Sequence, residues 1–135
     1  MIRFNELQIG DLVRAEFEGK AKEGEITNLN RDEEQVCILS GEQEFWFDAS
    51  HLHPIPLDDE QLKNLNFTRQ DNEDGTVKYM KGPFRILLHR KDDFNNFEMW
   101  YREDKRHFNN HLMVHEVQNH YLQMTKVHLT KEILA

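Results

Sequence analysis

The chain has 135 residues, 38% of them hydrophobic and 10% aromatic, enough for a small core and too many for a disordered chain. No run approaches the ~18 consecutive apolar residues of a membrane span. The net charge of −8 is uneven, with five basic against fifteen acidic side chains in residues 1–60 and twelve against ten in residues 61–135. An acidic first part repels phosphate backbones, so nucleic acid is not an expected partner of residues 1–60, whereas a basic protein would suit it.

Val13, Ala15 and Phe17 alternate with Arg14, Glu16 and Glu18 after a Gly10-Asp11 turn, the period of a half-buried strand. Gly19 and Gly24 bracket a polar stretch, residues 18–23, that reads as a hairpin loop. Residues 25–30 read as a second strand with Ile26 inward, and residues 30–34 as a charged turn. Residues 35–39, β-branched and apolar, are a third strand, and residues 44–48 a fourth. Cys37, the only cysteine, excludes an internal disulfide and reads as a small buried core residue.

Pro54 and Pro56 then stiffen an extended connector. A helix start follows at once. Asp58 is a good N-cap, Gln61 holds the capping-box position, and Leu57 and Leu62 have the spacing of a hydrophobic staple. Asp59 and Glu60 complement the helix dipole, and the helix ends near residues 64–66. Residues 67–70, 77–80, 84–89 and 97–101 read as strands of a three- or four-stranded meander, with Asp74-Gly75 as a hairpin signal. The mixed-sign run Arg102 to His107 reads as a solvated turn. Asn109 or Asn110 is expected to cap a helix over residues 111–124, whose stripe of Val114, Val117, Tyr121 and Met124 packs on the meander. Beyond Thr125 the pattern is ambiguous, with Ile133 and Leu134 either docked or frayed.

Four short strands with tight turns predict a small, strongly bent antiparallel barrel, and this part resembles SH3-like and Tudor-like barrels over roughly residues 7–57. The predicted class is α+β: an SH3-like β-barrel in residues 1–57, then a short helix, an antiparallel meander and a C-terminal helix packed on it in residues 58–135, all expected to pack as one unit. Two further stretches carry a family resemblance. Pro54-Ile55-Pro56-Leu57, Leu62 and Leu65-Asn66-Phe67 resemble the PIPLTEEWLLKLGF stretch of a family of short uncharacterised bacterial and prophage-type proteins. Val114-His115-Glu116-Val117-Gln118-Asn119-His120-Tyr121 is similar to that family's VHQLQNLYFALTG helix, from which the chain departs at Lys126-Val127-His128. The resemblance implies this architecture and no catalytic residue.

His111 and His115, four apart on the expected helix, share a face and are the candidate metal ligands. His89, Glu103 and Glu116 are the further ligands such a site would draw on. The plainer role for His115 is an imidazole hydrogen-bonded to backbone, with Gln118 and Asn119 satisfying nearby polar groups. In Phe45-Trp46-Phe47 the two phenylalanines share one strand face and Trp46 takes the other, beside Glu44 and Asp48. These aromatics are expected to pack between barrel and second layer. A binding face, if present, is expected at Trp46, Pro54 and Pro56. No Gly-x-Ser-x-Gly or glycine-rich phosphate loop occurs. Composition and motifs therefore point to a non-catalytic, cytoplasmic protein that binds another protein, with no membrane segment and no cofactor. The alternatives are a metal-dependent enzyme built on His111 and His115, and a phage or mobile-element structural or accessory protein.

Overall fold

Turn chemistry and alternation build the first of two antiparallel sheets. In the computed structural model, which describes residues 2–130, β1 (Leu12–Phe17) turns through Glu18 and Gly19 into β2 (Lys20–Asn30). Both turn residues have positive φ, 51° and 77°, the backbone of a two-residue hairpin whose twist matches its strands. The loop expected over residues 18–23 is therefore corrected: Lys20 to Glu23 are strand, in register with residues 14–17. Extended backbone suits them because their charges face solvent and pair across the ladder, as Arg14 does with Glu23 at 3.6 Å. Gly24 is a buried strand residue and no loop bracket. A Cβ there would stand 2.8 Å from the Leu39 carbonyl oxygen, so only glycine admits β3 at this distance.

A bulge between Ile26 and Asn28 bends β2 within its pairing with β3 (Gln35–Ser40). β4 (Gln43–Asp48), a 3₁₀ turn at Ala49–His51 and β5 (Leu52–His53) complete the sheet, in the order β4-β3-β2-β1-β5. Among the described residues no ladder joins β4 to β5, so the sheet is open by hydrogen bonding. Its core gathers Leu7, Val13, Ile26, Val36, Ile38 and Leu52. Cys37 is buried as expected.

By contacts the chain divides into two units. The first holds the described residues up to Ile55 together with Met113–Asn119, and the second holds Pro56–Leu112 and the described residues from His120 on. The helix α2 (Val114–Thr125) thus contributes its first turns to the first unit. It starts three residues later than expected, and Asn109 and Asn110 are not its cap. Glu116 instead accepts from the Met113 N–H at 2.8 Å, and the Val114 N–H donates to the Ile55 carbonyl at 2.7 Å. Val114 and Val117 are buried in the first unit, while Tyr121 and Met124 of the same stripe belong to the second.

In the second unit the first helix starts at the N-cap read from sequence. Asp58 accepts from the Gln61 N–H at 2.8 Å at the start of α1 (Asp59–Asn64), and Leu57 and Leu62 are fully buried. Asn66 takes the left-handed φ of 67°. Its N–H donates to the Lys63 carbonyl and that of Phe67 to the Leu62 carbonyl, a Schellman ending. Asp59 is held well below the usual carboxylate range, first by Lys63 and then by the Tyr79 hydroxyl, while Arg69 bridges it at 2.8 Å to Asp71 at 2.9 Å.

The meander runs β6 (Thr68–Asp71), β7 (Val77–Lys81), β8 (Phe84–Leu88), β9 (Phe97–Tyr101) and β10 (Asp104–Phe108), paired in chain order. The sheet has five strands where three or four were expected. β10 falls on the run taken for a solvated turn. It tolerates charge because it is an edge strand, and Lys105 pairs with Glu98 across the ladder at 3.1 Å. Tyr79, Phe84, Ile86, Leu88, Phe97 and Met99 form the buried face, with Tyr121 of α2 packed edge-on against Phe84 at 4.7 Å. The class is α+β, with two antiparallel sheets and two α-helices among the described residues. Among the described residues no helix is long and apolar enough to cross a membrane. Ile133 and Leu134 lie outside the described residues.

Replacing Asp58 with Ala removes the N-cap acceptor of α1. The expected loss is ~1 kcal/mol of stability, read by denaturant unfolding.

Candidate binding groove on the first sheet

Strand alternation brings three aromatic rings together on one face of the first sheet. Phe17 ends β1, just before the tight turn, and Phe45 and Phe47 lie on β4. Coiling of the sheet brings Phe17 within 6.3 Å of Phe45, nearly parallel at 19°, and within 6.4 Å of Phe47, edge-on at 80°. The rings wall a cavity of about 330 Å³ whose floor is Ala15 and Ile38. Phe47 leans on the core, but Phe17 is 60% exposed and Phe45 45%.

Lys20 and Lys22 rim the groove, because the register sets them opposite Phe17 and Ala15. They are two of the five basic residues among the first sixty, so the groove is locally basic on an acidic part of the chain. Glu18 is the acid at its edge.

Trp46 takes the opposite face of β4, as alternation requires, and is 49% exposed. The expectation that Phe45 and Trp46 pack away is corrected. Among the described residues β4 has a strand neighbour on one side only, and Phe45 and Trp46 stand about half exposed on its opposite faces. Beneath Trp46, Cys37 sits opposite in register, and its thiol donates to Glu44 Oε2 at 3.4 Å. Burial pushes that thiol above its ordinary value. Pro54 is half-buried and Pro56 exposed, flanking the buried Ile55. Neither proline lines the aromatic groove, so of the expected binding residues only Trp46 shares a strand with it.

The candidate metal pair does not stand as read. His111 precedes α2, and its Nε2 bonds the Leu57 carbonyl at 2.7 Å, so it shares no helix face with His115. His115 is buried on α2, without the expected backbone hydrogen bond. Its Nε2 lies 3.4 Å from Glu6 Oε1. Among the described residues no three His, Cys, Asp or Glu side chains cluster as a metal ion would require. His89 stands near His107, their rings 6.2 Å apart.

A buried polar corner surrounds Asp11 in the same unit. Its carboxylate accepts from the Gln8 N–H at 3.0 Å. Burial, above all, pushes its pKa up to about 7, and the nearby Glu6 charge adds to the rise. Gln118 accepts from the Leu12 N–H at 2.7 Å and donates to the Gly10 carbonyl at 2.8 Å, and Asn119 donates to the Glu6 carbonyl at 2.7 Å. Both amides therefore satisfy backbone groups as expected. A carboxyl that titrates near neutrality can exchange a proton, but this one is enclosed by its own turn.

Phe17, Lys20, Lys22 and Asp11 were not singled out in the sequence. The first three become a site only once the connection after Phe17 is known to be a two-residue turn, since that sets which side chains face each other.

The raised pKa of Asp11 sets a pH dependence. An unfolded aspartate loses its proton near 3.8, while the folded one keeps it to about 7. The native state therefore binds the extra proton in that window, and its stability falls as pH rises from about 4 to about 7, then levels. Replacing Asp11 with Asn removes this dependence. In thermal melts across the window the variant gains on the wild type as pH rises, by up to roughly 1.4 kcal/mol per pH unit.

No protein-family model, no curated protein and no solved structure matches the chain.

Proposed function

We propose that the protein is a non-catalytic protein-binding module, and that its aromatic groove receives an apolar side chain of a protein partner. One observation carries this reading: Phe17 and Phe45 stand 60% and 45% exposed around a cavity whose floor is core. Large apolar side chains left in water around a concave site are what interaction surfaces present. Lys20 and Lys22 at the rim favour an anchor residue with a carboxylate nearby.

An SH3-like architecture for the first sheet fits this role. It is supported by the strand order β5-β1-β2-β3-β4, by the bulge that bends β2, and by the 3₁₀ turn between β4 and β5. The groove then opens where the β1–β2 turn faces β4.

The test compares wild type with Phe17→Ala and Phe45→Ala in capture of partners from the native host, followed by titration of the partner recovered. Both side chains are about half exposed, so each variant is expected to stay folded and to lose about 1 kcal/mol of stability. Binding is expected to weaken by about 2 kcal/mol, roughly thirtyfold in Kd. Unchanged binding in both variants, or recovery of nucleic acid in place of protein, overturns the reading.

A further inference from the structure

β4 offers more than a wall for the groove. It is the outer strand of the first sheet, and among the described residues its side away from β3 has no strand neighbour. The β3–β4 hairpin closes through Gly41 and Glu42, with Ser40 opposite Gln43. In a two-residue hairpin the flanking pair is hydrogen-bonded, and bonded and non-bonded pairs alternate from there. Gln43, Phe45 and Phe47 therefore spend their N–H and C=O groups on β3. Those of Glu44, Trp46 and Asp48 point outward, which makes three consecutive docking positions along one open edge.

Natural edge strands are usually blunted by a bulge, a proline or a covering element. β4 pairs with β3 in unbroken register over its whole length and contains no proline. It carries exposed aromatics on both faces, Phe45 on one and Trp46 on the other. Its edge charges are acidic only, Glu44 and Asp48 flanking Trp46 on the same face.

That charge pattern selects the occupant. A second copy pairing antiparallel through all three outward residues would set Glu44 against Asp48 twice, and like charges directly opposite destabilise a ladder. A strand with basic residues at those two positions and an apolar residue opposite Trp46 reverses both contacts. We propose that the free edge of β4 takes an extended segment of a partner protein as an added antiparallel strand, with Lys or Arg facing Glu44 and Asp48 and an apolar side chain facing Trp46. The inference rests on the protein-binding reading and adds its mode, backbone pairing along the edge. The groove needs Phe17, whereas the edge needs only the outward N–H and C=O groups of β4.

The probe is the blocked peptide Lys-Val-Tyr-Val-Lys, titrated into the ¹⁵N-labelled full chain and followed by amide NMR and hydrogen exchange. The amides of Glu44, Trp46 and Asp48 are expected to shift and gain exchange protection. The charge-reversed peptide Glu-Val-Tyr-Val-Glu is expected to bind about tenfold more weakly. Glu44→Pro removes an outward N–H at an edge position where proline is tolerated, and is expected to abolish the shifts. The same peptide, N-methylated at its β4-facing amides and added to wild type, is expected to fail likewise, independently of how the variant folds. Equal binding of the two charged peptides, undiminished binding of the methylated one, or no shift at millimolar peptide overturns the inference. Shifts confined to Phe17, Lys20 and Lys22 overturn it too, and leave the groove reading standing.

Discussion

The first unit depends on one buried amide. Gln118 lies 106 residues along the chain from Leu12, yet it accepts from the Leu12 N–H and donates to the Gly10 carbonyl. On their other side, residues 10–11 already bond to Ile26: the Gly10 N–H donates to its carbonyl, and its N–H donates to the Asp11 carbonyl. β5 covers the same edge of β1 only at Arg14 and Ala15. Gln118 therefore supplies the donor and acceptor that a neighbouring strand would have supplied. Without it, two buried backbone groups would lose their partners, at a cost of about 1–3 kcal/mol each. This explains why a segment from near the end of the chain belongs to the unit built at its start.

Two aspartates show how far surroundings decide the behaviour of the same side chain. Asp59 meets Lys63, the Tyr79 hydroxyl and Arg69, and is held ionised. Asp11 meets backbone and amide donors, but burial dominates and it keeps its proton to near neutrality. A net charge counted from sequence treats the two alike.

The parts legible in the sequence are those that local chemistry decides. The cap of α1 needed only Asp58 and Gln61, and the buried faces of β3 and β8 needed only their alternation. The parts missed depended on long-range pairing. β10 has almost no apolar alternation, because an edge strand is held by its backbone ladder. β5 is two residues long and exists because β1 is beside it. α2 starts later than its pattern predicts because residues 111–113 lie outside it, with the Leu112 carbonyl accepting from the Leu57 N–H in the second unit. Moving that start also removed the shared helix face assumed for His111 and His115. At the site, alternation placed Trp46 correctly against Phe45 and Phe47, but exposure could not be read from it. A strand pattern does not say whether the strand is an edge.

The acidic residues of β4 carry a consequence for colloidal behaviour. On a strand with an open edge and bare aromatics, carboxylates that face one another across the gap between two copies oppose edge-to-edge contact. Such repulsion acts over roughly 8 Å at physiological ionic strength and over about 3 Å in molar salt. Added salt therefore weakens that barrier and leaves the exposed rings in place, so contact between the β4 edges of two copies is expected to grow with ionic strength.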